Sequence, residues 1–258
     1  AAAGDTVHIC AGLYAYGDDG FEDTLPDGVT IEGDGVGATV LDGGGAHWQF
    51  WINLASPDDQ LTITDLTMQN GHALHQGGAL EVDGGTTSIE RVAFVDNTSA
   101  EVAGAIYSDY GTMSIAHSTF SGNHAADIGG AIYSYEGTMS IADSTFGDNV
   151  AGSYGGAVYG EYGVMSIARS AFHGNIVQAG GEGGGAVFVY EESDVVAVDK
   201  GRLVRRQFSE SVETVLARPS LGPLFATVRT AAFEPATNPP TLTTISVVPV
   251  ARSTRVVG

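Results

Sequence analysis

The stretch GGAIYSYEGTMSIADSTFGDN, residues 129–149, decides the fold, because its pattern returns along the chain at a fixed step of 26 residues. Phe94, Phe120, Phe146 and Phe172 keep that step, as do Asn97, Asn123, Asn149 and Asn175. Met113, Met139 and Met165 follow it, and so do Ile89, Ile115, Ile141 and Ile167. The Gly-Ala-Ile/Val segment starts at Gly104, Gly130 and Gly156, and at Gly185 after a three-residue insertion. A fixed period of this size marks an array in which each unit covers its neighbour's open face.

The unit reads as strands. Met139-Ser140-Ile141 alternates apolar and polar, the period of a half-buried strand. Ala131 to Tyr135 is rich in β-branched and aromatic residues. Gly and Asn stand at the joints, where a positive φ must be tolerated. The long Ala/Leu/Lys/Glu runs of helical repeats are missing. At roughly 3.3 Å per residue, the unit suits one turn of a three-sided coil with short corners.

Stacked coils pair each strand in parallel with its equivalent one turn away, at about 4.8 Å. Like side chains then form ladders: the four phenylalanines, with Met68 in the same slot, and Ile106, Ile132, Val158 and Val187 behind Leu80. The asparagines can bond along the stack, each amide to the next carbonyl, which makes a corner buriable. Leu61 to Met68 aligns with Thr87 to Phe94, and Gly28–Gly33 and Ala38–Gly43 read as short strands. The expected fold is an all-β, single-stranded right-handed parallel β-helix of six to seven coils spanning residues 1–193.

Gly-Gly-Ala-Ile (Gly129–Ile132) and Phe-x-x-Asn (Phe146–Asn149) resemble the repeat of the chlamydial-type polymorphic outer-membrane proteins. The opening, Ala3-Gly4-Asp5-Thr6-Val7-His8-Ile9-Cys10 with Gly28-Val29-Thr30-Ile31-Glu32-Gly33, is similar to the first coils of pectin-lyase-like β-helices. The resemblance implies a secreted or surface-exposed bacterial protein. It also implies a capping helix upstream of Ala3, so we expect the N-terminal cap to be truncated. No signal peptide is read in this chain, which begins without Met. Fold motifs of this kind are shared by several functions.

Composition divides the chain. Residues 1–193 hold 26 acids against two bases, Arg91 and Arg169, a formal charge of −24. Residues 194–258 carry eight bases, five acids and six of the eight prolines. So acidic a stack repels nucleic acid and anionic membranes, and no run of apolar residues is long enough to span a bilayer. Asp18, Asp19, Asp34, Asp58 and Asp59 offer oxygen ligands for calcium. No full calcium-loop pattern is present, so no metal and no cofactor is assigned. The single cysteine, Cys10, excludes an intramolecular disulfide and reads as a small buried residue of an early strand. The seven histidines read as scattered loop residues sharing no ladder slot.

The tail, residues 194–258, reads as a basic, Pro-richer segment without repeat. It is poorly ordered, a partner-binding linker, or a frame-shifted translation. In the next frame, Lys200 to Glu210 can encode Gly-Asp-Trp-Phe-Asp-Asp-Asn-Ser-Pro. That string resembles the Asp-Trp-Gly…Asn-x-Pro ending that follows the last coil in such bacterial proteins. The gene's nucleotide sequence distinguishes these readings.

Catalytic signals are thin. Lyases on this fold use an Arg or Lys base, usually with calcium. Arg91 and Arg169 share one variable slot with His117 and Asp143, where a solvated side chain is expected. Hydrolases on this fold use carboxylate pairs. Of that family's Asn-Thr-Asp, Asp-Asp, Gly-His-Gly and Arg-x-Lys set, only Asp58-Asp59 and Gly71-His72 occur. No catalytic residue is assigned.

Alternation supplies one surface feature. If Ile106, Ile132, Val158 and Val187 face inward, Tyr107, Tyr133, Tyr159 and Phe188 face outward, with Asp109, Tyr135, Glu161 and Tyr190 on the same side. An exposed aromatic–acid stripe suits sugar rings or a surface protein; cross-strand stacking alone is the competing reading. The sequence thus describes an extracellular or cell-surface, monomeric, non-enzymatic and adhesin-like module. The alternative is a carbohydrate-active enzyme, hydrolase or lyase, on the same fold.

Overall fold

The computed structural model describes residues 1–15, 21–178, 180–181 and 183–190, with the backbone alone at 21–24, 194–199 and 203–204. These residues form a parallel β-solenoid of seven turns, and every strand pairing is parallel. One turn runs through Ile106–Asp109, Thr112–Ala116, Thr119–Ser121 and the short His124–Ala125. The next turn repeats it in register, Ile106 over Ile132, Met113 over Met139, Phe120 over Phe146.

The interior is a set of like-on-like ladders. Phe94, Phe120, Phe146 and Phe172 stack at 4.6–4.8 Å between centroids and within 7° of parallel. An isolated ring pair prefers an offset or edge geometry; here the rung spacing sets the face-to-face arrangement. Met68 and Leu41 continue the slot below. Leu80, Ile106, Ile132 and Val158 are fully buried beside them, each burial stabilising by about 1.5–3 kcal/mol.

Corners are made by stacked residues in the left-handed region. Asp65, Arg91, His117, Asp143 and Arg169 hold φ between 48° and 57° at one corner. This rules a β-branched residue out of that slot while leaving its side chain free to vary. Asp65 and Arg91 use the slot for a rung-to-rung ion pair with two contacts of 2.7 Å. Arg169 and Asp143 form the same pair at 2.7 and 2.5 Å.

The Gly-Gly-Ala motif has a steric cause. The first glycine (Gly77, Gly129, Gly155) has φ of 61–66°, and the second (Gly78, Gly104, Gly130, Gly156) has no room for a Cβ. A Cβ on Gly130 would lie 2.1 Å from the Gly156 carbonyl oxygen of the next turn. The chain therefore passes rung to rung at backbone contact, and the following alanine (Ala79, Ala105, Ala131, Ala157) is fully buried.

Two polar ladders fill buried corners. The Asn97 amide donates to Asn123 Oδ1 (3.0 Å), Asn123 to Asn149 (2.9 Å) and Asn149 to Asn175 (2.8 Å). Each also donates to the backbone carbonyl of the ladder Phe or Met one turn before, as Asn123 does to Phe94 (3.1 Å). A second ladder, Ser118, Ser144 and Ser170, was not anticipated from the sequence. Each hydroxyl donates to the carbonyl two residues back (2.7–2.9 Å) and accepts an amide from the turn below (3.2 Å).

Two expectations change. Cys10 is exposed, just past the strand Thr6–Ile9, rather than buried. His72 and His124 do share a ladder slot, two rungs apart with Thr98 between them. Backbone pairing also runs past Ser193, into Asp194–Asp199 against Val164–Ala168 and Leu203–Val204 against Phe172 and His173. The compositional boundary thus falls inside the last rung, while the rest of the tail lies outside the described residues, as do Asp18 and Asp19.

Candidate functional site

The outer face of the strands Leu80–Asp83, Ile106–Asp109, Ile132–Tyr135 and Val158–Glu161 carries two ladders in register. One runs Glu81, Tyr107, Tyr133, Tyr159, Phe188, and the other Asp83, Asp109, Tyr135, Glu161. Tyr190 follows on the last rung, its amide bonded to the Gly160 carbonyl at 2.8 Å.

The structure corrects the expected exposure of the first ladder. Tyr107, Tyr133 and Tyr159 point away from the interior but are only 5–8% exposed. They form a second, smaller apolar cluster with Ala103, against which Val102, Ile128, Tyr154 and Phe188 pack. The cover comes from the corner segments that precede each strand. Their rings meet edge to face along the stack, at 5.3 Å from Tyr107 to Tyr133 and 5.1 Å from Tyr133 to Tyr159. The Tyr133 hydroxyl donates to Glu161 at 2.6 Å.

Exposed aromatic surface lies one step on, at the corner that ends these strands. Tyr110 is 62% exposed, Tyr162 43% and Tyr190 40%, with Tyr135 half-buried among them. Tyr110 meets Tyr135 at 5.8 Å, Tyr135 meets Tyr162 at 5.9 Å and Tyr162 meets Tyr190 at 6.3 Å, all edge to face. Tyr110 and Tyr162 hold left-handed φ of 52°, which fixes both rings on the corner. The sequence argument missed these two because strand alternation stops at the last strand residue. Their recurrence with Glu136 at the 26-residue step was the available signal.

Carboxylates are threaded through this surface. Asp109 is pushed up to about 6, by burial first and then by the charges of Asp83 and Glu136. Its Oδ1 is buried without a hydrogen-bond partner. Glu81 is raised as well, by burial, against the opposing hydrogen bond from Gln76 (2.7 Å). Tyr135 is pushed up to about 12, chiefly by its hydrogen bond to Glu136. The arrangement offers ring faces and edges, acceptor oxygens and one carboxyl whose ionisation is shifted up to about 6.

That raised carboxyl has a consequence for stability. An unfolded Asp ionises near 3.9, so between about pH 4 and 6 the native state binds the extra proton. Stability is therefore lost as pH rises through that window. Solvent screening of this partly exposed group brings the expected cost at neutral pH to about 1 kcal/mol. Asp109→Asn is expected to raise the melting temperature at pH 7.5 by about 2–4 °C, with the gain shrinking toward pH 5. A gain equal at both pH values would show that ionisation is not its cause.

Other sequence candidates are engaged elsewhere. Asp58 and Asp59 close a turn in which Asp59 accepts the Ser56 amide at 2.8 Å. Arg91 bonds Asp65 and Glu90, and Arg169 bonds Asp143. A hollow beside Ser134, Met139, Gly160 and Met165 is only water-sized, so the aromatic–acid corner acts as an open surface.

The rungs that build this corner also carry the family signal. Residues 117–135 and 143–161 match the model of the Chlamydia polymorphic membrane protein (Chlamydia_PMP) repeat. Each match contains a Phe-x-x-Asn corner and the following Gly-Gly-Ala strand. The chain is a parallel β-helix repeat protein. No curated protein and no solved structure matches it. Among the described residues, no helix is long and apolar enough to cross a membrane.

Proposed function

We propose that this β-helix is a bacterial cell-surface, adhesin-like module that binds glycan along the corner formed by Tyr110, Tyr135, Tyr162 and Tyr190. The observation that carries the reading is the continuous run of rings, exposed at Tyr110, Tyr162 and Tyr190 and half-buried at Tyr135, one per rung and interleaved with Asp109, Glu136 and Glu161. Ring faces bury the apolar faces of sugars, and the carboxylates accept their hydroxyls. The repeat match to membrane-protein repeats supports placement at the surface. The buried tyrosines Tyr107, Tyr133 and Tyr159 then support the site from below and make no direct contact with ligand.

A glycan array with the whole chain tests this reading. Tyr110→Ser and Tyr162→Ser should each weaken glycan binding about tenfold or more while changing stability by about 0.5 kcal/mol or less. Tyr133→Ser should cost about 3 kcal/mol of stability. Binding of a protein ligand alone, with no glycan retained, would refute the glycan assignment.

A second reading, a carbohydrate-active enzyme, is favoured by one observation. Asp109, pushed up to about 6, lies beside Asp83 on the adjacent rung, and a raised carboxyl next to a second one suits general acid chemistry. Reducing-sugar release abolished by Asp109→Asn would establish it over the binding module.

A further inference from the structure

We propose that His8, Cys10 and Asp34 form a zinc-binding clip that ties the first turn of the solenoid to the second. His8 and Cys10 are two residues apart on one edge, and Asp34 follows the paired strand Val29–Gly33, in which His8 lies opposite Glu32. One ligand atom from each of the three lies within 4.8 Å of the others. His8 Nε2 and Asp34 Oδ1 are 3.1 Å apart. Two ligands of a tetrahedral zinc, each about 2.0 Å from the ion, stand about 3.3 Å apart. A small rotation of the exposed thiol completes a three-ligand set with a fourth position open to water.

The surroundings hold the set in place. Thr39 is fully buried, and its hydroxyl meets the carbonyls of Ile9 (3.0 Å) and Cys10 (3.2 Å) and accepts the Asp34 amide (2.9 Å). Tyr14 donates to the Cys10 carbonyl at 3.0 Å. Asp34 Oδ2 accepts the Ala11 amide at 2.6 Å, leaving Oδ1 for the ion. Behind the imidazole, Nδ1 of His8 faces Glu32 Oε2 at 3.8 Å. That distance is longer than a hydrogen bond, but it leaves the carboxylate on the side of the ring opposite Nε2.

Thiolate, imidazole and carboxylate together favour a borderline ion such as zinc over calcium or magnesium. The site also sits where a clip matters. The strands that it joins, Thr6–Ile9 and Val29–Gly33, pair in parallel, and Val7, Leu13 and Tyr14 nearby are exposed. Ligand binding to the folded form alone stabilises it, so zinc would hold these two strands together.

Cobalt serves as the spectroscopic probe on the full chain, followed by displacement with zinc. One equivalent of Co²⁺ should give a thiolate-to-cobalt charge-transfer band that zinc abolishes and Cys10→Ser lacks. His8→Ala and Asp34→Asn should each weaken cobalt binding about tenfold or more, with metal-free melting temperatures unchanged because all three side chains are exposed. Zinc should raise the melting temperature of the parent and leave that of Cys10→Ser unmoved. Absence of the band overturns the proposal. So does a band insensitive to both His8→Ala and Asp34→Asn, since a thiol binding metal by itself would give that result.

Discussion

Gly130→Ala is expected to destabilise the protein by about 4 kcal/mol or more, while Gly185→Ala should change stability by about 0.5 kcal/mol or less. Both glycines occupy the same place in the repeat. At Gly130 an added Cβ meets the Gly156 carbonyl oxygen at 2.1 Å and the Val150 carbonyl at 2.7 Å, all backbone of the next turn. Neither can yield without parting the rungs. At Gly185 the nearest atom among the described residues is the Asn175 oxygen at 3.8 Å, ordinary contact. Urea unfolding midpoints of the two variants, read with unchanged slopes, measure the difference. Equal losses at both sites would mean that the motif glycine is required by its own backbone and not by the turn above it.

Asn123→Ala should cost about 3–5 kcal/mol. The side chain accepts from the Asn97 backbone amide (3.1 Å) and the Asn97 side chain (3.0 Å), and it donates to the Phe94 carbonyl (3.1 Å) and to Asn149 (2.9 Å). Alanine leaves the Asn97 amide and the Phe94 carbonyl buried without these partners, and water has no route to a position that is 0% exposed. Asn175 stands at the upper end of the ladder and is less buried. Asn175→Ala should therefore cost about 1–2 kcal/mol. Thermal and urea unfolding of the pair checks the ordering, and a loss at Asn175 as large as at Asn123 would contradict it.

The interior of this fold was legible because a 26-residue period leaves little freedom. Once Phe120 must lie over Phe146, the places of Ile106, Met113 and Asn123 follow from chain length and alternation. The surface was less legible for a physical reason. Alternation says that Tyr133 points out of the sheet, but not whether a corner then folds over it. Ile128 and Tyr154, which do so, share with Gln76, Val102 and Gly183 a slot of no fixed residue type. The serine ladder escaped notice since Ser118 looks like any polar turn residue until its amide and hydroxyl partners are seen. The exposed corner rings alternate with Glu136, which hid their recurrence.

The first turns were harder still. Thr6 pairs with Thr30 and Val29 with Leu61, steps of 24 and 32 residues rather than 26. Without a constant period, sequence spacing could not bring His8 and Cys10 beside Asp34, nor reveal that Cys10 faces solvent. Residues on the regular rungs could therefore be read onto a face of the stack from spacing alone, while those on the irregular rungs could not be grouped.

In-register stacking is tested most directly by paired cysteines in a Cys10→Ser background. Ser114 and Ser140 are exposed, partnered residues of adjacent rungs, and Ser166 lies one rung further. Adjacent rungs are about 4.8 Å apart and alternate rungs about 9.6 Å, so only the first spacing suits a disulfide. Mild oxidation should close Ser114→Cys/Ser140→Cys within the folded chain and leave Ser114→Cys/Ser166→Cys open. Closure of the 114/166 pair, or failure of the 114/140 pair, would contradict the stack of like residues on which the ladders, the corner surface and the proposed clip all depend.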